Sequence, residues 1–168
     1  ICNYCDFNKV FFKNQPVDEY IEALGREMEM TVAQMPEAFT NIETIFLGGG
    51  TPTALSAQQI EKLLGLITKH IPMSSVKEFS SEANPDELTI DKLQALYNGG
   101  VNRLSMGVQS FDQSLLEKIG RTHSNEHVYE TIQNAKNVGF ENISIDLMYG
   151  LPGQTMEQWQ ETLEKALA

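Results

Sequence analysis

The sequence predicts an α/β fold in which parallel strands are joined by helices. Strand-like segments alternate with amphipathic helical segments along all 168 residues, and four of the strand segments end in glycine or polar residues. This alternation favours a parallel sheet with right-handed crossovers. A doubly wound sheet and part of a (β/α) barrel both fit the pattern. No linker, low-complexity tract or solenoid repeat divides the chain, so we expect a single domain.

The first elements are a helix and a buried strand. Apolar residues recur at helical spacing from Val17 to Gln34, and Pro36 ends this helix. The run from Asn41 to Leu47 is short and rich in Ile and Phe, which predicts a strand. The glycines at 48–50 cannot continue it.

Helices and strands alternate through the rest of the chain. A capping box at Ser56 and Gln59 starts a helix with one apolar face, and Thr89 starts a shorter helix that Gly99 stops. The remaining predicted strands are Ser75 to Glu82, Asn102 to Gly107 and Asn142 to Met148, and the remaining helices run near Gln113 to Ile119, from Ser124 to Val138 and from Met156 to Ala168.

The charge and cysteine content narrow the choice of partners. The formal net charge is −11 and the chain shows no basic stripe, which argues against a nucleic-acid partner. No apolar run approaches the roughly 20 residues that a membrane span needs. Two cysteines do not make a disulfide framework, so we expect a reducing, cytoplasmic setting.

Residues suited to ligand binding cluster at the predicted strand ends. Gly48 to Pro52 follow the first strand, Glu82 ends the second, Gln109 follows the third, and Asp146 lies near the end of the fourth. In parallel α/β folds the carboxyl ends of the strands form the ligand-binding edge. The sequence therefore predicts one shared site there.

The glycine segment has two interpretations. Three glycines form a tight strand-to-helix turn, or they let backbone groups approach a ligand that side chains would keep away. The segment is not a phosphate-binding loop of the Walker type, since no Gly-Lys-Ser/Thr follows. It is not the dinucleotide fingerprint either, because position 53 is Thr.

The charged candidates also have alternatives. Glu82 is a solvated strand terminus or an acceptor for an amine or hydroxyls. Asp146 stands between apolar neighbours, where a carboxylate is costly unless it is paired or faces a wet cavity. We therefore favour a functional role for Asp146. Arg103 and Arg121 are helix caps, surface ion pairs or a clamp for a carboxylate. All three histidines are expected at the surface or in caps: His70, His123 and His127.

Cys2 and Cys5 form a Cys-x-x-Cys pair and are the only cysteines in the sequence. A structural zinc site needs about four ligands, and no second such pair is available. A thioredoxin-type pair would open a helix directly, whereas here about ten residues intervene. Spacing alone leaves an incomplete metal or cluster site and incidental thiols as equal alternatives.

Six motifs in order resemble one known family. They are Cys-Asn-Tyr-Cys-Asp-Phe, Phe-Leu-Gly-Gly-Gly-Thr-Pro-Thr, Glu-Ala-Asn-Pro, Asn-Arg-Leu-Ser-Met-Gly-Val-Gln-Ser-Phe, Gly-Arg-Thr-His and Ile-Asp-Leu-Met-Tyr-Gly-Leu-Pro-Gly-Gln-Thr. The series resembles the radical SAM proteins of the oxygen-independent coproporphyrinogen III oxidase group. The likeness covers essentially the whole chain, and the ordered set is far more specific than any one motif.

The resemblance implies a fold and two cofactors. The family fold is a partial, TIM-like (β/α)6 barrel, so residues 1–168 would be a single radical SAM core domain whose first and last strands and C-terminal domain lie outside the sequence. Cys2 and Cys5 match the second and third cysteines of the Cys-x-x-x-Cys-x-x-Cys motif that ligates a 4Fe-4S cluster. S-adenosylmethionine binds the fourth iron in the family.

The resemblance also implies which residues surround S-adenosylmethionine, and it assigns no catalytic residue. Those residues are Gly49, Gly50 and Thr51 at the methionyl end, Glu82 as an acceptor there, Gln109, Arg121 and Asp146 on the sulfonium, carboxylate and ribose side, and Tyr4 beside the adenine.

Phe7 indicates a branch within the group. The oxidases carry a further cysteine at this position, and its replacement is typical of the HemW branch, whose members are heme chaperones that deliver heme without decarboxylating a porphyrin. The alternative is an oxidase that converts two propionates of coproporphyrinogen III to vinyl groups. Either way the implied ligand is heme or a porphyrin; the acceptor protein and electron donor are not identified. A cofactor-free α/β domain is the third hypothesis.

Overall fold

The chain folds into helices and strands that alternate as predicted. A computed structural model describes residues 4–5 and 12–168. Within these residues the elements are α1 Val17–Gln34, β1 Thr44–Leu47, α2 Ala57–His70, β2 Glu78–Ala83, α3 Ile90–Asn98, β3 Arg103–Gln109, α4 Gln113–Lys118, α5 Asn125–Val138, β4 Asn142–Leu147 and α6 Met156–Leu167.

The four strands form one parallel sheet in the order β1-β2-β3-β4. Each strand therefore pairs with the next strand along the chain, with a helical crossover between them. In a doubly wound sheet the order of the strands reverses at a switch point. No such reversal occurs among these four strands. This order is the one expected for part of a (β/α) barrel.

The two faces of the sheet differ in chemistry. One face carries apolar side chains such as Phe79, Leu104 and Met106, each fully buried against the helices. Burying an apolar side chain of this size contributes about 1.5–3 kcal/mol. The opposite face carries polar residues from three strands, because successive side chains of a strand point to opposite faces. These residues are Glu78, Ser80 and Glu82 of β2, Arg103 and Ser105 of β3, and Asn142, Ser144 and Asp146 of β4.

Side-chain caps fix the starts of the helices. The predicted capping box of Ser56 and Gln59 is confirmed at the start of α2, and Thr155 and Gln158 form a second one at α6. Asp112 and Ser124 cap α4 and α5. Replacing such a cap by alanine typically costs about 1 kcal/mol.

Helix α6 is attached to the end of β3 by polar contacts. The hydroxyl oxygens of Ser110 and Thr162 lie 3.4 Å apart in a buried position. Gln158 donates from Nε2 to Asp112 Oδ2 at 2.8 Å. These contacts hold the connection from β4 to α6, which contains the segment 149–153, beside the end of β3.

In the part of the chain that the structure describes, no helix is both long and apolar enough to cross a membrane.

Candidate functional site at the strand ends

The carboxyl ends of the four strands lie along one edge of the sheet, where the predicted site residues are found. Register pairs Glu82 with Ser105, and Gly107 with Asp146. Polar-face residues of neighbouring strands are therefore adjacent at the same height. This edge brings Glu82, Gln109 and Asp146 to one side of the sheet.

The glycine segment after β1 lies directly against Glu82. A Cβ built on Gly48 would come within 3.1 Å of Glu82 Cδ and 2.4 Å of Phe46 Cε1. A side chain at position 48 would therefore crowd the Glu82 carboxyl group and the Phe46 ring. Gly49 has a φ of 102°, and within the described residues a Cβ on Gly49 or Gly50 would meet no atom within 4 Å. The backbone at both positions is accessible to a ligand.

Thr53 anchors this segment to the end of β2. Its side chain is fully buried, and its Oγ1 accepts the amide of Asn84 at 3.1 Å. Lys92 Nζ donates to the Thr53 carbonyl at 2.7 Å. The loop after β1 is thus fixed to the loop after β2. No role was predicted for Thr53 from the sequence; its place in the Gly-Gly-Gly-Thr-Pro-Thr motif was the available signal.

Gln109 occupies an unusual backbone conformation. Its φ is 70°, and the amide of Ser110 donates to the Val108 carbonyl at 2.9 Å, so Gln109 is the centre of a three-residue turn. A non-glycine residue in this region costs on the order of 1–3 kcal/mol. Met148 holds the turn from β4, since its amide donates to the Gln109 carbonyl at 2.8 Å. Such strain is common at ligand-binding positions.

Arg121 lies between three parts of the site. Its Nη1 donates to Asn84 Oδ1 at 3.0 Å, and its Nη2 donates to the Tyr4 hydroxyl at 3.1 Å. Its Nε is buried and finds no partner among the described residues. A Cβ on Gly107 would meet Gln109 Nε2 at 2.8 Å and Arg121 Nη2 at 3.1 Å. The amide and the guanidinium therefore meet above Gly107.

Asp146 lies on the open polar face. Its carboxylate oxygens are 3.4 and 3.5 Å from the Ser105 hydroxyl, which donates to them, and the residue is exposed. Of the two settings expected for this charge, paired or facing water, the structure supports the second. Ile145 belongs to the opposite, helix-packed face.

Arg103 lies at the other end of β3 and is separate from the site. Its Nη1 is 3.6 Å from Glu78 Oε1, and its Nη2 donates to Ser144 Oγ at 3.1 Å. Arg103 therefore forms a surface ion pair, and it is not part of a carboxylate clamp at the strand ends.

The prediction of a surface or capping role is wrong for His123. The side chain is 1% exposed, and its Nε2 lies 3.0 Å from the Val108 carbonyl. Burial lowers its pKa below the usual 6.5, and Asp86 partly opposes this effect. Its burial could not be inferred from Gly-Arg-Thr-His, because the ring packs against the end of β3, which lies outside this motif. His127 is half-buried and 3.3 Å from Asp86 Oδ1.

The cysteine pair is only half described. Cys5 is half-buried and carries a free thiol, and Cys2 lies outside the described residues. Phe7 lies outside them too. Among the residues that the structure describes, no three His, Cys, Asp or Glu side chains are grouped to hold a metal ion. Tyr4, next to Cys5, places this loop near the strand ends through its contact with Arg121.

This edge of the sheet carries hydrogen-bonding groups of both charges, which suit a zwitterionic ligand. The Glu82 carboxyl group lies beside position 48 of the glycine segment, and the Arg121 guanidinium and the Gln109 amide lie together above Gly107. A carboxylate accepts from an ammonium group, and a guanidinium donates to a carboxylate. The open backbone at Gly49 leaves room for such a molecule.

The fold and this edge define a strand-end site of the kind found in (β/α) barrels. The model of the radical SAM superfamily matches residues 1–166, and the chain belongs to that superfamily. Membership implies S-adenosylmethionine and a 4Fe-4S cluster as cofactors.

Similar proteins carry two different names. The chain is 51% identical over 169 residues to the heme chaperone HemW of Bacillus subtilis, covering 100% of this chain and 44% of that protein. The Escherichia coli heme chaperone HemW is 35% identical over 99% of the chain and 44% of its own length. The oxygen-independent coproporphyrinogen III oxidase of Salmonella typhimurium is 34% identical, over 98% of the chain and 36% of its length.

A solved structure agrees with the barrel. The chain superposes on the coproporphyrinogen III oxidase HemN of Escherichia coli with a TM-score of 0.86 and 34% identity, covering 99% of this chain and 38% of that one. The predicted α/β fold, part of a TIM-like radical SAM barrel, is confirmed. The chain spans less than half the length of each of these four relatives.

Proposed function

We propose that this chain is the core domain of a radical SAM protein of heme metabolism that binds heme and delivers it to an acceptor protein. The observation that carries the proposal is the 51% identity, over the whole chain, to a protein named a heme chaperone. Phe7 supports it, because it replaces a cysteine that the resemblance expects in oxidases. The expected location is the cytoplasm.

The proposed cluster ligands in this sequence are Cys2 and Cys5, which match the second and third cysteines of the family motif. A thiolate is the usual protein ligand of iron in such clusters. The cluster and S-adenosylmethionine supply the redox chemistry of the superfamily when they are bound. The protein residues bind and orient these groups.

The strand-end residues are proposed to hold S-adenosylmethionine by charge and shape. Glu82 accepts from the ammonium group, and Arg121 neutralises the carboxylate. Gly49, Gly50 and Thr51 offer backbone groups to the methionyl end. Gln109 and Asp146 line the sulfonium and ribose side, and Tyr4 borders the adenine. The closeness of Glu82 to position 48 supports this arrangement, since the carboxyl group lies beside the glycine segment.

The test uses the full-length protein, reconstituted with iron and sulfide under anaerobic conditions. We expect absorbance near 400 nm, heme binding, and transfer of heme to an apo-hemoprotein, with no protoporphyrinogen formed from coproporphyrinogen III. Cys5→Ser removes one ligand and should abolish the cluster absorbance. Ser74→Ala, at an exposed position, is the matched control and should retain it.

The alternative function is that of an oxygen-independent coproporphyrinogen III oxidase. It is favoured by the 34% identity to an oxidase and by the superposition on an oxidase structure. Formation of protoporphyrinogen at catalytic rates in the same assay, with S-adenosylmethionine and a reductant, would establish the oxidase and exclude the carrier.

A further inference from the structure

His123 makes a buried contact with the end of β3. It lies in the loop between α4 and α5, and its Nε2 is 3.0 Å from the Val108 carbonyl oxygen. Because a carbonyl only accepts hydrogen bonds, Nε2 carries the proton and the neutral ring is the Nε2–H tautomer. Its Nδ1 is buried without a partner among the described residues.

The Val108 carbonyl is the acceptor that closes the turn at Gln109. It takes the Ser110 amide at 2.9 Å and the His123 ring at 3.0 Å, so both of its lone pairs are used. Gln109 lies between Val108 and Ser110 in this turn, with its φ at 70°. The histidine therefore bonds to the backbone group on which this strained conformation depends.

The same loop carries Arg121, two residues before the histidine. The Arg121 guanidinium and the Gln109 amide meet above Gly107. Thr122, between them in sequence, donates to Asp86 Oδ2 at 2.6 Å, which ties the loop to the end of β2 as well. The loop is thus held to β3 through a ring and to β2 through a hydroxyl.

We propose that His123 is a positioning residue: through its bond to Val108, it fixes the turn that carries Gln109 and holds beside it the loop that carries Arg121. The inference rests on the proposed function, which places Gln109 and Arg121 at S-adenosylmethionine. His123 itself reaches no ligand, because it is buried beneath the turn.

The first test measures S-adenosylmethionine affinity in the full-length, cluster-loaded protein by equilibrium dialysis. His123→Gln keeps a donor near the position of Nε2, and His123→Leu removes it while filling similar space. We expect the leucine variant to bind about tenfold more weakly, and the glutamine variant to stay within about threefold of the wild type. Equal affinity in the leucine variant and the wild type would overturn the inference.

Loss of stability alone must be separated from loss of positioning. Leu64→Ala removes a fully buried side chain of α2 and provides a destabilised control remote from the turn. We expect this control to lower the melting temperature but to retain S-adenosylmethionine affinity. If it weakens binding as much as His123→Leu does, the histidine has only a structural role and the inference fails.

The second test needs no cofactor. The ring of His123 in ¹⁵N-histidine-labelled protein should show a protonated Nε2 and a bare Nδ1, and the Ser110 amide should exchange faster in the leucine variant than in the glutamine variant. The opposite tautomer, or equal exchange, would overturn the inference. If the wild type does not bind S-adenosylmethionine, the proposed function fails, and these signals still decide whether His123 holds the turn.

Discussion

The Nη2 atom of Arg121 lies 3.1 Å from the hydroxyl oxygen of Tyr4, although 117 positions separate the two residues in the chain. Tyr4 belongs to the cysteine loop, and Arg121 also bonds to Asn84 after β2. One guanidinium therefore joins the loop of the proposed cluster ligands to the sheet edge proposed to hold S-adenosylmethionine.

Tyr4→Phe removes the acceptor of this bond and keeps the ring. We expect S-adenosylmethionine affinity to fall about fivefold, because a hydrogen bond to a charged donor contributes roughly 1.5 kcal/mol or less at a partly exposed site. Equilibrium dialysis of the cluster-loaded full-length protein measures the change. Tyr20→Phe, on the exposed side of α1, is the matched control. A parallel loss in that control would show that the effect is not specific to Tyr4.

Gly48→Ala should displace Glu82. The added Cβ would lie 2.4 Å from Phe46 Cε1 and 3.1 Å from Glu82 Cδ, so at least one of these side chains must move. We expect a lower melting temperature and at least a tenfold loss of S-adenosylmethionine affinity.

The control for this change is Gly65→Ala in α2, where a Cβ meets no atom within 4 Å in the described structure apart from the helix's own turns. That variant should gain about 0.5–1 kcal/mol of stability, since alanine is the better helix former. Unchanged cofactor affinity in Gly48→Ala would show that the carboxylate is not fixed by this glycine.

The strained backbone at Gln109 should lower the stability of the protein, while its amide contributes to ligand binding. Gln109→Gly and Gln109→Ala both remove the amide, but only glycine adopts a φ of 70° without strain. We expect the glycine variant to unfold at higher denaturant concentration than the alanine variant, by about 1 kcal/mol. Both should lose S-adenosylmethionine affinity to the same degree. Equal stability of the two variants would mean that the turn is not strained.

His123 should make the folded protein sensitive to mild acid. Desolvation lowers its pKa, with Arg121 and His127 adding to this effect and Asp86 and the Val108 carbonyl opposing it. Below its usual value of 6.5 the unfolded chain binds a proton that the folded protein does not. Stability is therefore present above pH 6.5 and falls as the pH drops toward the folded pKa, by at most about 1.4 kcal/mol per pH unit.

Denaturant unfolding of wild type and His123→Gln from pH 5 to 8 measures this effect. The difference between the two free energies of unfolding should be constant above neutral pH. Below pH 6.5 the wild type should lose stability relative to His123→Gln. A difference that stays constant across the range would show that the pKa of the ring is the same in the folded and unfolded states.

The order and type of the elements could be predicted from the sequence, because helical and strand periods are local patterns. Helix α1 has the predicted bounds, Val17–Gln34. The starts of β1 and β2 could not be predicted in this way, because the two strands begin at Thr44 and Glu78, which pair with each other. Ser75, predicted in β2, instead lies in a 3-10 turn. A ladder begins only where both partners are present, and periodicity does not reveal the partner.

The strand-end residues could be identified because polar groups at the carboxyl ends of parallel strands share an edge. The continuation of β3 beyond Gly107 to Gln109 could not be predicted, since the pairing with β4 is irregular between these two residues. The burial of His123 was missed for a similar reason. Its setting is built by segments that are distant in sequence, including the end of β3, and no local pattern indicates it.

The division of the sheet into one polar and one apolar face limits how these strands can change length. Inserting one residue into β4 before Ile145 would turn Ile145 toward the polar face and the Asp146 carboxylate toward the packed helices, because side chains alternate along a strand. The same reversal would apply to Glu82 in β2. A gain or loss of one residue within these strands would therefore disturb both faces, whereas substitutions on the polar face leave the packed core intact. The chemistry of this edge can diverge by substitution while the lengths of its strands remain fixed.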